Sequence, residues 1–371
     1  MPSVRTNRCR AIAMWEFSWI ERRWPGAGYE DWDLALDELV ERGYDAVRID
    51  AFPHLLDVDP ERTWTIHSDG QDGDWGAPGE VDISHVGAAV VEFIGKCRDR
   101  NVLVGLSTWY KRDSENARMR IKTPEDQARV WLSTLKLVDE AGLLDSLLYL
   151  DLCNEFPNAK WAPYLYGSDE RNKTERITSP RLIAWMRDSI DLLRATYPGL
   201  SYTFSQSDQF AHWAEQDVSM LDFLEPHLWI TNPAMSSFYA DIGYSFQTRE
   251  FQTLIRKARP HYLANKARFD TVLTEWIAKA ADWSRRTHKP LVTTEAWASI
   301  MYRDWPMADW DWMMDVCASG VEQASVTGRW TAICTSNFCG PQYQGMWRDI
   351  AWHRRLTDLI KAGPIDQELT R

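Results

Sequence analysis

The stretch LYLDLCNEFPN, Leu148 to Asn158, sets an apolar run directly ahead of an Asn-Glu pair and a proline. A short apolar run bounded by turn residues reads as a strand buried on both faces, as in a parallel sheet covered by helices. An amide and a carboxylate then stand at its carboxyl end, where parallel α/β sheets build their binding sites.

Seven further runs read the same way: RAIAMW (10 to 15), DAVRID (45 to 50), VLVGLST (102 to 108), SYTFSQ (201 to 206), DFLEPH (222 to 227), PLVTTE (290 to 295) and TAICTS (331 to 336). With LLYLDLC (147 to 153) they make eight. Helical spacing fills the intervals. Trp32, Leu36, Leu39 and Val40 precede Gly43; Val86, Val90, Phe93, Ile94 and Cys97 lie between Ser84 and Asn101. Thr123-Pro124 and Ser179-Pro180 each pair an N-cap residue with a first-turn proline. A last helix runs from about Met346 to Ala362 and stops at Gly363-Pro364. The expected fold class is α/β, a single (β/α)8 TIM barrel over residues 1–371. A doubly wound sheet is the alternative, but no GxGxxG follows the first strand. Two long irregular stretches, roughly 53 to 83 and 156 to 177, follow strands two and four, and their Trp64, Trp75 and Trp161 are candidate pocket walls.

Composition narrows the partners. The 371 residues carry 54 Asp and Glu against 42 Lys and Arg, a net charge of -12, so no basic stripe offers itself to nucleic acid. No window reaches the roughly 18 apolar residues of a membrane span. Six cysteines show no CxxC pair, and the N-terminus lacks a signal-peptide h-region, so the chain reads as cytoplasmic with reduced, mostly buried thiols. Twenty-one tryptophans exceed what the core needs. Some are expected to stack on sugar rings, while most fill packing positions.

In a parallel barrel the functional side chains sit at carboxyl ends of strands. Strand one delivers Trp15 and Glu16, strand two Arg48 and Asp50, strand three Trp109 and Tyr110, and strand four Asn154 and Glu155. Strand five gives Gln206, strand six His227 and Trp229, strand seven Glu295 and Trp297, and strand eight Asn337. Two glutamates on strands four and seven could face each other across the mouth. Retaining cleavage of a glycosidic bond needs such a pair about 5 to 5.5 Å apart, one carboxyl protonated and one ionised.

These residues resemble the retaining glycoside hydrolases of clan A, in particular the cellulase-like (family 5) type. The likeness rests on Asn154-Glu155, on Glu295, on GYDAVRI (43 to 49) with its arginine, and on PHLW (226 to 229) with its histidine. It implies Glu155 as acid/base, Glu295 as nucleophile, Arg48 as the partner steadying that nucleophile, and His227 in the network beside it. Three places depart from the pattern. Phe156 intervenes before Pro157, strand three ends in STWY where a histidine is usual, and strand eight ends in TSNFCGP where a tryptophan platform is usual. A divergent, sugar-binding cellulase-like branch is the nearer match.

The expected reaction is therefore hydrolysis of a β-linked oligosaccharide or small glycoside, with no cofactor and no metal. Trp15, Trp109, Trp229 and Trp297 are candidate stacking surfaces, and Asn154, His227 and Asn337 candidate hydroxyl partners. Glu16 and Asp50 either bond substrate hydroxyls or serve as buried partners of Arg48. Asp151 lies an odd number of steps before Asn154, which on a regular strand turns the two to opposite sides. His54, His67 and His85 fit no zinc spacing. Two other readings stay open: a carbohydrate-binding protein that has lost turnover, and an inverting hydrolase using a carboxylate such as Asp50 as base.

Overall fold

A computed structural model describes the chain except for residues 1, 68–74, 76–77, 169–173, 247–249 and 371. The buried apolar runs form parallel strands, and the amphipathic segments between them form the covering helices. The strands are β1 (Arg10–Glu16), β2 (Ala46–Asp50), β3 (Thr63–His67), β4 (Glu80–Ser84), β5 (Leu103–Ser107), β6 (Arg112–Asp113), β7 (Leu147–Asp151), β8 (Tyr202–Thr203), β9 (Leu228–Trp229), β10 (Leu291–Thr293), β11 (Ala296–Trp297) and β12 (Trp330–Ile333). Seven make one curled parallel sheet in the order β10-β12-β1-β2-β5-β7-β8. β9 and β11 pair in parallel apart from it. Single bridges join Gln206 to Pro226 and Leu224 to Leu291, beside the two outer strands of the sheet.

Helix starts follow the local chemistry. Thr123 Oγ1 accepts from the Asp126 amide (3.3 Å) and Ser179 Oγ from the Leu182 amide (3.3 Å), opening Pro124–Glu140 and Pro180–Thr196. Trp32–Glu41 and Val86–Asp99 lie where the apolar spacing puts them, with Trp32, Leu36, Leu39, Phe93 and Cys97 buried. Val40 is exposed, on the far side of that helix. Ile350–Ala362 closes the chain.

The sixth expected strand differs. DFLEPH makes only the two single bridges, and the strand proper is Leu228–Trp229, just beyond it. Proline at 226 cannot donate to a ladder, which breaks the pairing there. The stretch 53 to 83 is also not irregular as expected: it holds the helix Pro53–Val58 and β3 and β4, which with β6 form a three-stranded antiparallel sheet. TWTIH alternates polar and apolar residues at period two, the pattern of a half-exposed strand, with Trp64 and Ile66 turned inward. Stretch 156 to 177 carries one short helical turn, Pro163–Tyr166. Part of each stretch, residues 68–74, 76–77 and 169–173, lies outside the described residues.

Two tryptophans placed at the mouth by their numbering instead pack behind the sheet. Trp15 meets Tyr29 and Phe93 edge-on and donates from Nε1 to the Cys339 carbonyl (3.0 Å). Trp297 packs so close to Gly320 of helix Asp311–Ser325 that a Cβ there would lie 2.5 Å from its Cγ. Neither is a stacking surface for a sugar. The cause at Trp15 is a register shift between Met14 and Glu16 against β2, a bulge that re-aims the side chains around it.

Candidate active site

Arg48 is the centre of the site. It is wholly buried on β2, and its guanidinium reaches three acids: Asp151 Oδ2 at 2.6 Å, Glu295 Oε1 at 3.1 Å and Glu225 Oε1 at 3.6 Å. It also donates to Ser107 Oγ (2.9 Å), Asn154 Oδ1 (2.8 Å) and Thr294 Oγ1 (3.0 Å), and lies over the Trp109 ring at 4.5 Å. Burial acts against its charge, but Glu225, Asp151 and Glu295 together hold it protonated well above its ordinary range.

Glu155 and Glu295 are brought together as expected. β7 ends at Asp151, after which the chain bends. The Asn154 amide donates to the Thr108 carbonyl (2.9 Å), and the Glu155 amide to Ser205 Oγ (3.0 Å). Glu155 itself sits at φ +50, a left-handed conformation that non-glycine residues hold mainly where the surroundings fix it. This bend corrects the expectation for Asp151 and Asn154. Both reach Arg48 Nη2, because strand alternation has stopped between them. Glu295 stands between β10 and β11, its carbonyl accepting from the Leu228 amide (3.1 Å).

His227 lies between the two glutamates. Its Nδ1 is 3.3 Å from Glu155 Oε1 and 3.7 Å from Glu295 Oε1, and its Nε2 is 3.9 Å from Glu225 Oε1. One ligand atom from each of Glu155, His227 and Glu295 falls within 4.8 Å of the others. The side chain of Glu155 keeps 14% exposure and that of Glu295 1%. Glu155 therefore faces the entrance and Glu295 the floor.

The charges are unequal. Burial pulls His227 down, but the charge of Glu295, the bond to Glu155 and the nearby Glu225 carboxylate push it up to about 9. Burial pushes Glu295 up to about 7, and the charge of Glu155 adds to this against His227 and Arg48. Burial acts upward on Glu155 too. There the bond and charge of His227, with the Trp161 indole donating to Oε2 at 2.9 Å, prevail and hold it below its usual range. Arg48 was expected to steady Glu295; it does bond Glu295, but it shares its charge with Asp151 and Glu225, and burial outweighs the help it gives.

The remaining candidates separate cleanly. Asn154 Nδ2, Trp109 Nε1, Asn337 Nδ2, Gln206 Oε1 and Glu295 Oε2 are buried without a hydrogen-bond partner among the described residues, and Asn337 Oδ1 accepts from Trp229 Nε1 (3.2 Å). Trp229 also meets His227 edge-on. Asp50 is neither a partner of Arg48 nor free for substrate. Its oxygens accept from the Phe52 (2.7 Å) and Trp109 (2.9 Å) amides and tie down the turns after β2 and β5. Glu16 does not pair with Arg48 either; Ser18 and Gln342 bond it. His54, His67 and His85 bind Lys111, Glu80 and Glu61 separately. Trp161 reaches the site, whereas Trp64 donates to the Asp59 carbonyl (3.2 Å) and Trp75 to the Ile300 carbonyl (2.7 Å).

Asp151 was read but set on the wrong side, and Glu225, Ser107, Ser205 and Thr294 were not singled out in the sequence. Glu225 carried a usable signal: it stands two residues before His227, and period-two alternation sets both on one face. The serines and threonine carried none.

The chain resembles known proteins along its whole length. Residues 12–361 match a family model described as sugar-binding cellulase-like. The crystal structure of a "putative glycoside hydrolase" from Parabacteroides distasonis ATCC 8503 is 40% identical, covers 97% of this chain and 96% of its own, and superposes with a TM-score of 0.92. GH5_18 structures from Streptomyces cattleya and Bifidobacterium longum subsp. longum are each 12% identical. The first covers 98% of this chain and 83% of its own at a TM-score of 0.55, the second 96% and 81% at 0.57, and both share the α/β fold. No protein of curated function matches the chain. The match over nearly every residue, together with 40% identity to a structure of the same fold, places this chain in the sugar-binding cellulase-like family.

Proposed function

We propose that the chain is one catalytic domain, a (β/α)8 barrel closed through segment 224–229, that hydrolyses a β-linked glycoside with retention. The observation that carries this is the spacing of Glu155 and Glu295, whose nearest oxygens lie within 4.8 Å. Retaining enzymes hold their carboxyls about 5–5.5 Å apart, and inverting ones leave about 6.5–9.5 Å for a water. The use of Asp50 by an inverting enzyme is disfavoured further by the two amides that occupy it.

In the first step Glu295 attacks the anomeric carbon while Glu155 gives a proton to the departing oxygen. In the second, Glu155 takes a proton from water, whose oxygen displaces Glu295 from the sugar. Before attack the proton must leave Glu295 for Glu155. His227, charged and bonded to Glu155, can pass its Nδ1 proton to Glu155 and take that of Glu295 in return. Asn154 Nδ2 offers a donor to the sugar 2-hydroxyl. A GH5_18 variant from Bifidobacterium longum subsp. longum ATCC 55813, of like fold (TM-score 0.54, 11% identity), binds Manβ1-4GlcNAc, which favours a neutral oligosaccharide here.

A second reading, sugar binding without turnover, draws on the resting charges, which leave the attacking carboxyl protonated and the acid ionised. A panel of aryl β-glycosides separates the two. Hydrolysis that falls by roughly 10³-fold or more in Glu295→Ala and in Glu155→Ala, with the β-anomer formed first, supports the enzyme. Binding of the panel with no release refutes it.

A further inference from the structure

The carboxyl end of β1 holds a further acid with an unusual set of partners. Glu16 is fully buried and sits at φ +33, left-handed, immediately after the β1 bulge. One of its oxygens, Oε1, accepts from both Ser18 Oγ and Gln342 Nε2 (3.2 Å). Gln342 Oε1 in turn lies against the Tyr29 hydroxyl. With Tyr29 donating to Gln342, the two donors Ser18 and Gln342 fill both acceptor positions of Glu16 Oε1. Glu16 Oε2 is left buried with no hydrogen-bond partner among the described residues. A carboxyl with one oxygen committed as acceptor can carry a proton only on the other.

We propose that Glu16 is a specificity-determining residue that binds substrate as a carboxylic acid, donating from Oε2 to a hydroxyl oxygen of a neutral glycone. This rests on the hydrolase reading and adds the recognition chemistry to it. The surroundings keep the proton in place. Burial acts first, and the charge of Glu295 adds to it. Of the other charged or titratable groups facing Glu16, Glu21 is repulsive, Arg22 is attractive, and Tyr29 and Tyr343 are neutral; the result is a carboxyl pushed up to about 8. The donor is not isolated. Asn154 Nδ2, Trp109 Nε1 and Asn337 Nδ2 are buried and unpartnered as well. A glycone presenting several hydroxyl oxygens as acceptors suits that set, because a buried donor left unmet destabilises the site.

The test compares Glu16→Ala and Glu16→Gln with the wild type on whichever aryl β-glycoside is turned over. Removing the donor raises KM about tenfold with a smaller change in kcat, and the glutamine, which keeps a donor at the same place, recovers most of that loss. In the wild type KM rises above about pH 8 as the proton leaves, and in Glu16→Gln that rise is gone. Titration of His227 near 9 affects both proteins alike, so the difference between them reports Glu16. The proposal is overturned if the glutamine is as impaired as the alanine, or if the two pH profiles coincide. Should Glu16→Ala not fold, the Glu16→Gln profile alone decides. If no glycoside is cleaved, the hydrolase reading fails on its own. Calorimetric titration of wild type and Glu16→Gln with glucose and mannose at pH 6.5 and 9 then settles the donor by the same two criteria.

Discussion

Arg48 has no contact with water, so its charge exists only because acids enclose it. Breaking such a buried set by removing one partner leaves uncompensated charge and costs about 3–5 kcal/mol. Arg48→Met is expected to lose that much in urea-induced unfolding, since Asp151, Glu225 and Glu295 then face one another. Arg48→Lys will recover little, because one ammonium cannot serve Ser107, Asp151, Asn154, Thr294 and Glu295 in a fixed fork. Near-wild-type stability of either variant would show the network to be dispensable. At this scale the strand-end acids were legible because polar residues after an apolar run have few other reasons to be there. Asp151 was not, because it closes the strand itself and its function depends on a bend three residues later. The protonation of the glutamate pair was not legible either. It depends on how Arg48 is shared and on where His227 stands, which no local sequence pattern records.

Elements transmit these placements through close contacts behind the sheet. Helix Asp311–Ser325 presents Gly320 to the face of Trp297, whose Nε1 is held by the Cys334 carbonyl at 3.1 Å. Alanine in a helix interior normally stabilises it by about 1 kcal/mol relative to glycine. At Gly320 the sign reverses, since the added carbon would lie 2.5 Å from Trp297 Cγ. Overpacking of this kind costs about 1–3 kcal/mol. Trp297 stands two residues after Glu295, so Gly320→Ala should also lower kcat more than it raises KM. A variant as stable and active as the wild type would mean that helix and strand slide freely. Caps and apolar spacing made the helices readable, as Thr123 and Ser179 show. Strands were readable where a buried apolar run marks them, even short ones such as Tyr202–Thr203, and were missed at the half-exposed Thr63–His67 and Glu80–Ser84. Leu228–Trp229 is two residues long, and its neighbour DFLEPH has the better strand composition but a proline in the ladder. The bulge at Trp15 hid the direction of that ring, because an inserted residue leaves no mark in the hydrophobic pattern.

Across the whole molecule the buried acids link stability to pH. Burial pushes Glu16 up to about 8, Glu295 to about 7 and Asp50 to about 6, each above its ordinary value of 4.5, 4.5 and 3.8. His227 is pushed from 6.5 up to about 9 by the acids around it. All four bind protons more tightly folded than unfolded. Their contribution is complete below the unfolded values and is lost as pH rises through the folded ones. His353 works the other way. Burial lowers it to about 3, so its contribution is present above 6.5 and is lost as pH falls. Glu155 and Glu225 are held low and likewise favour folding more as pH rises from acid. The two sets oppose each other up to about pH 7, where unfolded His353 has given up its proton, and from there to about 9 only the loss remains. Each extra proton held by the folded state makes stability fall by about 1.4 kcal/mol per pH unit. The unfolding midpoint measured by calorimetry is therefore expected to drop from about pH 7 to about pH 9, with a shallower fall in Glu16→Gln, where one of those protons has been replaced by an amide. A midpoint that stays level or rises over that interval would contradict this proton count.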